Sequence, residues 1–129
     1  MAREKKEGFN PNGTMASEGT IETFYKNAVQ KDTISVPGIG DKNKEKLKDV
    51  GIETTHQLIG TFLTMVGEDM THVEIADAFW FFLKGAGISQ YRDCIVTVIG
   101  EKVNKMIPNS FDMDKLKEEL ESIVEEDEN

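Results

Sequence analysis

Residues 34–58 read Ile34-Ser35-Val36-Pro37-Gly38-Ile39-Gly40-Asp41-Lys42-Asn43-Lys44-Glu45-Lys46-Leu47-Lys48-Asp49-Val50-Gly51-Ile52-Glu53-Thr54-Thr55-His56-Gln57-Leu58. Pro37-Gly38 breaks the chain. Lys42 to Val50 then reads as a short helix, with Asp41 as its N-cap and Gly51 as its C′ stop. Thr54-x-x-Gln57 is a capping box that opens the next helix. Two glycines around Ile39 let the backbone turn tightly and come close to another surface, while Ile39 anchors the turn in the core. The turn exposes backbone N–H groups at the start of the Lys42 helix, where the helix dipole favours an anion. A DNA phosphate is a natural guest, and Lys42 and Lys46 can reach neighbouring phosphates. Contacts of this kind hold a duplex without reading its bases.

Outward from this stretch the chain reads as helices. Ile21, Phe24, Tyr25, Ala28 and Val29 have helical spacing over about 18–31. Leu58, Ile59, Phe62, Leu63 and Val66 form the stripe of the helix opened by Thr54, which ends near Gly67. Thr71-x-x-Glu74 caps a fourth helix that runs to Lys84 and stops at Gly85, with Ile75, Ala76, Phe79, Phe82 and Leu83 inward. Ser89 opens a fifth, with Tyr91, Ile95, Val98, Ile99 and Met106 on one face. The β-branched run Ile95–Ile99 is compatible with a strand, but its flanks and the lack of a hairpin partner favour helix. Pro108 ends it. Met113, Leu116, Leu120, Ile123 and Val124 mark a sixth, acidic amphipathic helix. Residues 1–16 are polar and aperiodic and read as disordered. The class is all-α: a disordered segment 1–17, a compact five-helix domain 18–107 that contains the hairpin, and an acidic helix and tail 108–129.

Composition narrows the function. The 129 residues hold 15 basic and 24 acidic side chains, net −9, which excludes a uniformly basic nucleic-acid binder but leaves room for a local basic site. The acidity is concentrated at the C-terminal end, where residues 108–129 carry two basic and nine acidic side chains against eight and ten in 34–107. The acidic end reads as a solubilising tail, or as a segment that competes with DNA or contacts a basic partner. No apolar run approaches the ~20 residues of a membrane helix, so no membrane insertion is expected. The single cysteine, Cys94, cannot form an internal disulfide and reads as a buried thiol. The Asn12-Gly13-Thr14 sequon reads as chance, because no secretory signal accompanies it. His56 and His72 lie in no cluster with metal-ligand spacing, and no nucleophile has a catalytic signature. The expectation is a non-enzyme without cofactor or metal.

The stretch first quoted looks like a helix–hairpin–helix motif. Beyond it, Gly38-Ile39-Gly40, Lys46-Leu47, Gly51, Gly60-x-Phe62-Leu63, Gly85-Ala86 and Arg92-Asp93-Cys94 occur in the order and near-spacing of barrier-to-autointegration factor. Roughly residues 20–107 resemble that family, with a small insertion near Val66–Val73. The resemblance implies a SAM-like bundle and a homodimer that binds and bridges double-stranded DNA without sequence preference. It implies chromatin or genome organisation, in the nucleus or cytoplasm, or in a viral factory or virion if the source is a virus. By position the DNA contacts would be Gly38, Ile39, Gly40, Lys42, Lys46, Gln90 and Arg92, with Arg92 on a second stretch of phosphate. Ser89 stands where animal members have lysine, and Glu45 replaces another basic position, so both departures weaken binding. The family's short basic N-terminal segment is replaced by a longer, charge-neutral one containing Arg3, Lys5 and Lys6.

Four consecutive aromatics, Phe79 to Phe82, cannot all be buried on one helix face. Some must meet the sixth helix or another subunit, unless a larger intramolecular core absorbs them; Trp80 and Phe81 are the candidates for a dimer or partner interface. The resemblance adds a groove for a LEM-domain-like partner near Ile52, Ile59, Gly60 and Leu63. A second reading stays open. In it the same fold is a protein-binding adaptor or heterodimer partner with weak or lost DNA binding, as Asp41, Ser89, Glu45 and the net charge suggest. A third makes the chain an accessory domain of a DNA-processing enzyme.

Overall fold

The computed structural model describes residues 7–128, with side chains described to Ile123. Six α-helices and one 3-10 turn follow in order: α1 Glu18–Lys26, the turn Thr33–Ser35, α2 Asp41–Asp49, α3 Thr55–Thr64, α4 His72–Gly85, α5 Arg92–Met106 and α6 Met113–Glu128. The described residues contain no strand, and the chain is an all-α bundle. None of its described helices is long and apolar enough to cross a membrane.

α5 is the central helix, packed by α1, α3 and α4. Cys94, Ile95, Val96, Val98, Ile99, Gly100 and Val103 are all buried, because a helix enclosed on most sides needs apolar residues around most of its circumference. This resolves the β-branched run in favour of helix. The expected face is only partly right, since Tyr91 and Met106 are exposed. Lys102 is also buried, and its ammonium donates to the carbonyls of Phe24 (2.8 Å), Tyr25 (3.0 Å) and Asn27 (2.6 Å). That closes the C-terminal end of α1, which stops at Lys26 rather than near 31. Burial pulls the Lys102 pKa down. Burial, and then a hydrogen bond to Glu101, push the Tyr25 hydroxyl up.

The helix boundaries expose four physical corrections. Asp41 is the first residue of α2 and not its N-cap, which is Gly40. α3 ends at Thr64, short of Gly67. α4 includes Gly85, and the true stop is Gly87 at φ +94°. The cap of α5 is Tyr91, not Ser89. Both expected capping boxes are present, Thr54 with Gln57 and Thr71 with Glu74. Gly51 stops α2 as expected, at φ +88°. Its N–H donates to Lys48 and that of Ile52 to Leu47, the paired bonds of a Schellman stop.

Described segments on either side of 18–107 also reach the core. Phe9 is only 2% exposed, and its N–H donates to Asp77 at 2.8 Å. Asn10 N–H donates to Asp93 at 2.9 Å, and Glu7 pairs with Lys84, which holds the Glu7 carboxyl below its usual range. Residues 7–17 are thus a strap across the bundle; Arg3, Lys5 and Lys6 lie outside the described residues. At the other end Phe111 and Leu116 are fully buried. Phe111 seats in a notch at Gly100, where an added Cβ would stand 2.5 Å from the ring. Glu119 of α6 accepts from the N–H groups of His72 (3.1 Å) and Val73 (2.8 Å). Val124 and the acidic run Glu125 to Glu128 lie beyond the described side chains.

Candidate nucleic-acid interface

The hairpin is built by contrast between its two glycines. Gly38 has φ +96°, and a Cβ there would press on Ile95, Tyr91 and Cys94 at 3.2–3.4 Å. Gly40 has an ordinary extended φ of −103°, and a Cβ there would meet nothing within 4 Å. Gly38 is therefore required by packing, whereas Gly40 leaves an open surface above the start of α2. Ile39 between them is buried, as expected. Cys94, also buried, donates its thiol to the Pro37 carbonyl at 3.5 Å, and burial raises its pKa.

The hairpin, the start of α2 and the loop before α5 enclose an open groove of about 610 Å³. Of the residues expected to contact DNA, Gly38, Ile39, Gly40, Lys42, Lys46 and Gln90 all line it. The two walls interlock. Asn43 donates its amide to the carbonyls of Gly38 (3.1 Å) and Gln90 (3.3 Å). The stem of Lys46 crosses Gly87 so closely that a Cβ at Gly87 would sit 3.2 Å from Lys46 Cδ. Lys44 is drawn away instead, to Asp32 at 3.1 Å. Asp32 also accepts from Ile34 N–H, and this bond, then Lys44, lowers its pKa.

Arg92 lies next to this groove rather than in it. It lines an adjoining groove of about 490 Å³ with Thr14, Trp80 and Asp93, and the two grooves share Ser89, Gln90 and Tyr91 as a common wall. Its guanidinium is 4.3 Å from the Trp80 ring centroid, and Nη1 donates to the Ile88 carbonyl at 2.7 Å. Among the described residues its other N–H groups have no hydrogen-bond partner.

The two helix starts on the groove share one property. The N-cap of α2 is Gly40 and that of α5 is Tyr91, and neither makes a side-chain cap hydrogen bond. The other α-helix starts are capped: Ser17 on α1, Thr54 on α3, Thr71 on α4 and Asp112 on α6. First-turn N–H groups need a partner, and at the groove that partner can be a bound anion. Asp41 and Ser89 line the same groove; the Asp41 carboxylate opposes an anion there, and Glu45 is exposed on the same helix.

The expected interface residues fare differently. Ile52 is buried because it follows the Gly51 stop and packs inward, and Ile59 is buried on the inner face of α3. Trp80 is 6% exposed: its indole N–H donates to Asp93 at 3.0 Å and its face carries Arg92. These three are almost fully covered within the single chain. Gly60 and Leu63 are half-buried, and Phe81 is 45% exposed. Sequence reasoning missed Asn43, Gly87 and Tyr91, and missed that Ala16 and Thr14 of the strap reach the groove walls. Gly87 could have been found as the left-handed residue two positions past a helix end. Nothing local marks Asn43 as a bridge. Among the described residues no cluster of His, Cys, Asp or Glu could hold a metal ion. No family model, curated protein or solved structure matches the chain.

Proposed function

We propose that this chain binds double-stranded DNA without sequence preference and, as a homodimer, bridges two duplexes, in the manner of the barrier-to-autointegration factor family that its sequence resembles. Such a protein would organise chromatin or a viral genome, in the nucleus, the cytoplasm or a viral factory. The observation that carries the reading is the convergence of two uncapped helix starts, α2 and α5, on one groove that also holds Lys42 and Lys46. Backbone N–H groups would take phosphate oxygens, and the two lysines and Arg92 would neutralise neighbouring phosphates. No base edge need be touched. Exposed Phe81 on α4 is the first candidate for the contact between subunits, with Gly60 and Leu63.

The test is a duplex titration across a salt series with two unrelated sequences. Equal affinities are expected, with log K falling linearly in log salt; Lys46→Ala should lower that slope by about 0.9. A second reading is favoured by Asp41 and Ser89 on the groove wall: a protein-binding adaptor, or a heterodimer partner, of the same fold. A LEM-domain-like or basic protein would then be the partner. No duplex binding at low salt would select it. Light scattering of the wild type and Phe81→Glu tests the dimer independently, since loss of the dimer is expected in the variant.

A further inference from the structure

Tyr91 is an aromatic residue in a backbone conformation that aromatic residues avoid. Its φ is +65° and ψ +18°, the left-handed region that glycine and asparagine enter at low cost. It is an N-cap, a position that is normally extended and held by a small polar side chain. Nothing among the described residues rewards a tyrosine there. The side chain is 40% exposed; among the described residues its hydroxyl has no hydrogen-bond partner and its ring has no aromatic or cationic neighbour. Strain of this kind persists only where the surrounding structure over-determines it, and such residues cluster at functional sites.

The position supplies the role. Tyr91 is on the wall shared by the two grooves. On one side are the hairpin, the start of α2, Lys42 and Lys46. On the other is Arg92 with its unspent N–H groups. The left-handed turn is held from behind, since Asn43 fixes the carbonyl of Gln90 and Gly38 packs on Tyr91 Cβ. We infer that Tyr91 is a DNA-contact residue that sits between two phosphate positions of one strand, its ring on the intervening deoxyribose and its hydroxyl donating to a phosphate oxygen. Tyrosine is among the side chains that make such contacts. The inference rests on the DNA-binding reading and extends it to a residue that neither the hairpin motif nor the charge pattern marks.

The experiment compares full-length wild type, Tyr91→Asn and Tyr91→Phe by duplex titration over a salt series and by thermal unfolding. Asparagine fits the left-handed backbone and phenylalanine keeps the ring. Expected are about a tenfold loss of affinity for Y91N and about threefold for Y91F. Expected too are salt slopes unchanged in both, since no cation is removed, and a melting temperature for Y91N no lower than that of wild type. Wild-type binding with Y91N and Y91F at wild-type affinity overturns the Tyr91 inference alone. A loss of affinity accompanied by a reduced slope also overturns it, because the variants would then have displaced the lysine and arginine contacts. No binding by wild type overturns the DNA reading and this inference with it.

Discussion

At the start of α4 every donor of the first turn is engaged within the chain. Thr71 N–H donates to Glu74, Glu74 N–H to Thr71, and His72 and Val73 N–H to Glu119 of α6. At the start of α2 a glycine stands where the cap would be, and no side chain accepts from the turn above it. The first arrangement holds two helices together; the second leaves polar capacity facing solvent at a site built from three segments. N-caps contribute about 1 kcal/mol each. A chain that caps α1, α3, α4 and α6 but leaves α2 and α5 open has put its capping stability away from the groove, whose wall includes Asp41 and Lys42 of the first turn of α2.

The sharpest way to break this contrast is to give α2 the cap it lacks. Gly40 already has extended dihedrals and open space at Cβ, so Gly40→Asp can cap α2 without rearrangement. Stability should change by no more than about 0.5 kcal/mol, upward if at all, because glycine is itself a tolerable N-cap. Duplex affinity should fall about thirtyfold or more, since the new carboxylate occupies the N–H groups and repels the phosphate. Equal affinity in calorimetry or fluorescence titration would remove the start of α2 from the interface. Gly38→Ala is the matched control at the other glycine of the hairpin. It should cost about 2 kcal/mol of stability, from φ +96° and contacts with Ile95 and Tyr91.

The converse is to remove a cap where one exists. Glu119→Ala leaves the N–H groups of His72 and Val73 unpartnered and takes a negative charge from the N-terminal end of α4. Chemical denaturation should show a loss of about 1–2 kcal/mol, with duplex affinity of the folded protein unchanged. An affinity loss larger than the unfolded fraction explains would mean that the α4–α6 seam and the groove are coupled.

These contrasts also explain what the sequence could and could not reveal. Both capping boxes and the Gly51 stop were legible because each is a local pattern with a fixed offset, and the chain satisfies it within six residues. The groove was legible to the extent that it is local, at Gly38 to Lys46. Its second wall depends on contacts between residues far apart in the chain, such as Asn43 with Gln90 and Gly38 with Tyr91, and no periodicity carries them. Phe9 was invisible for a related reason. A single aromatic in a polar run has no pattern, yet it fills the core and turns a segment read as disordered into a strap. The surroundings of Trp80 were illegible because four adjacent aromatics imply a second surface without saying whose. Asp93 and Arg92 of the same chain provide it for Trp80, and only Phe81 is left facing out.

The smallest effect concerns the acidity of α6, for which competition with DNA for the basic helix was one reading beside a solubilising tail or contact with a basic partner. Among the described residues, none from α6 lines the groove. Glu119 is fixed at the N-terminal end of α4, while the groove wall at Gly87 follows the C-terminal end of the same helix. Fourteen residues separate those ends, about 20 Å at 1.5 Å per residue. At physiological salt the screening length is about 8 Å, so exposed charges one or two residues from Glu119 act on the groove only weakly. Glu118→Gln with Glu121→Gln should therefore change duplex affinity by less than about twofold at 0.15 M salt. Deleting residues 108–129 cannot ask this question, because it takes Phe111, Leu116 and Glu119 out of the fold. A several-fold gain in affinity for the double glutamine variant would show that the acidic helix reaches the groove after all, and would return the competition model to α6.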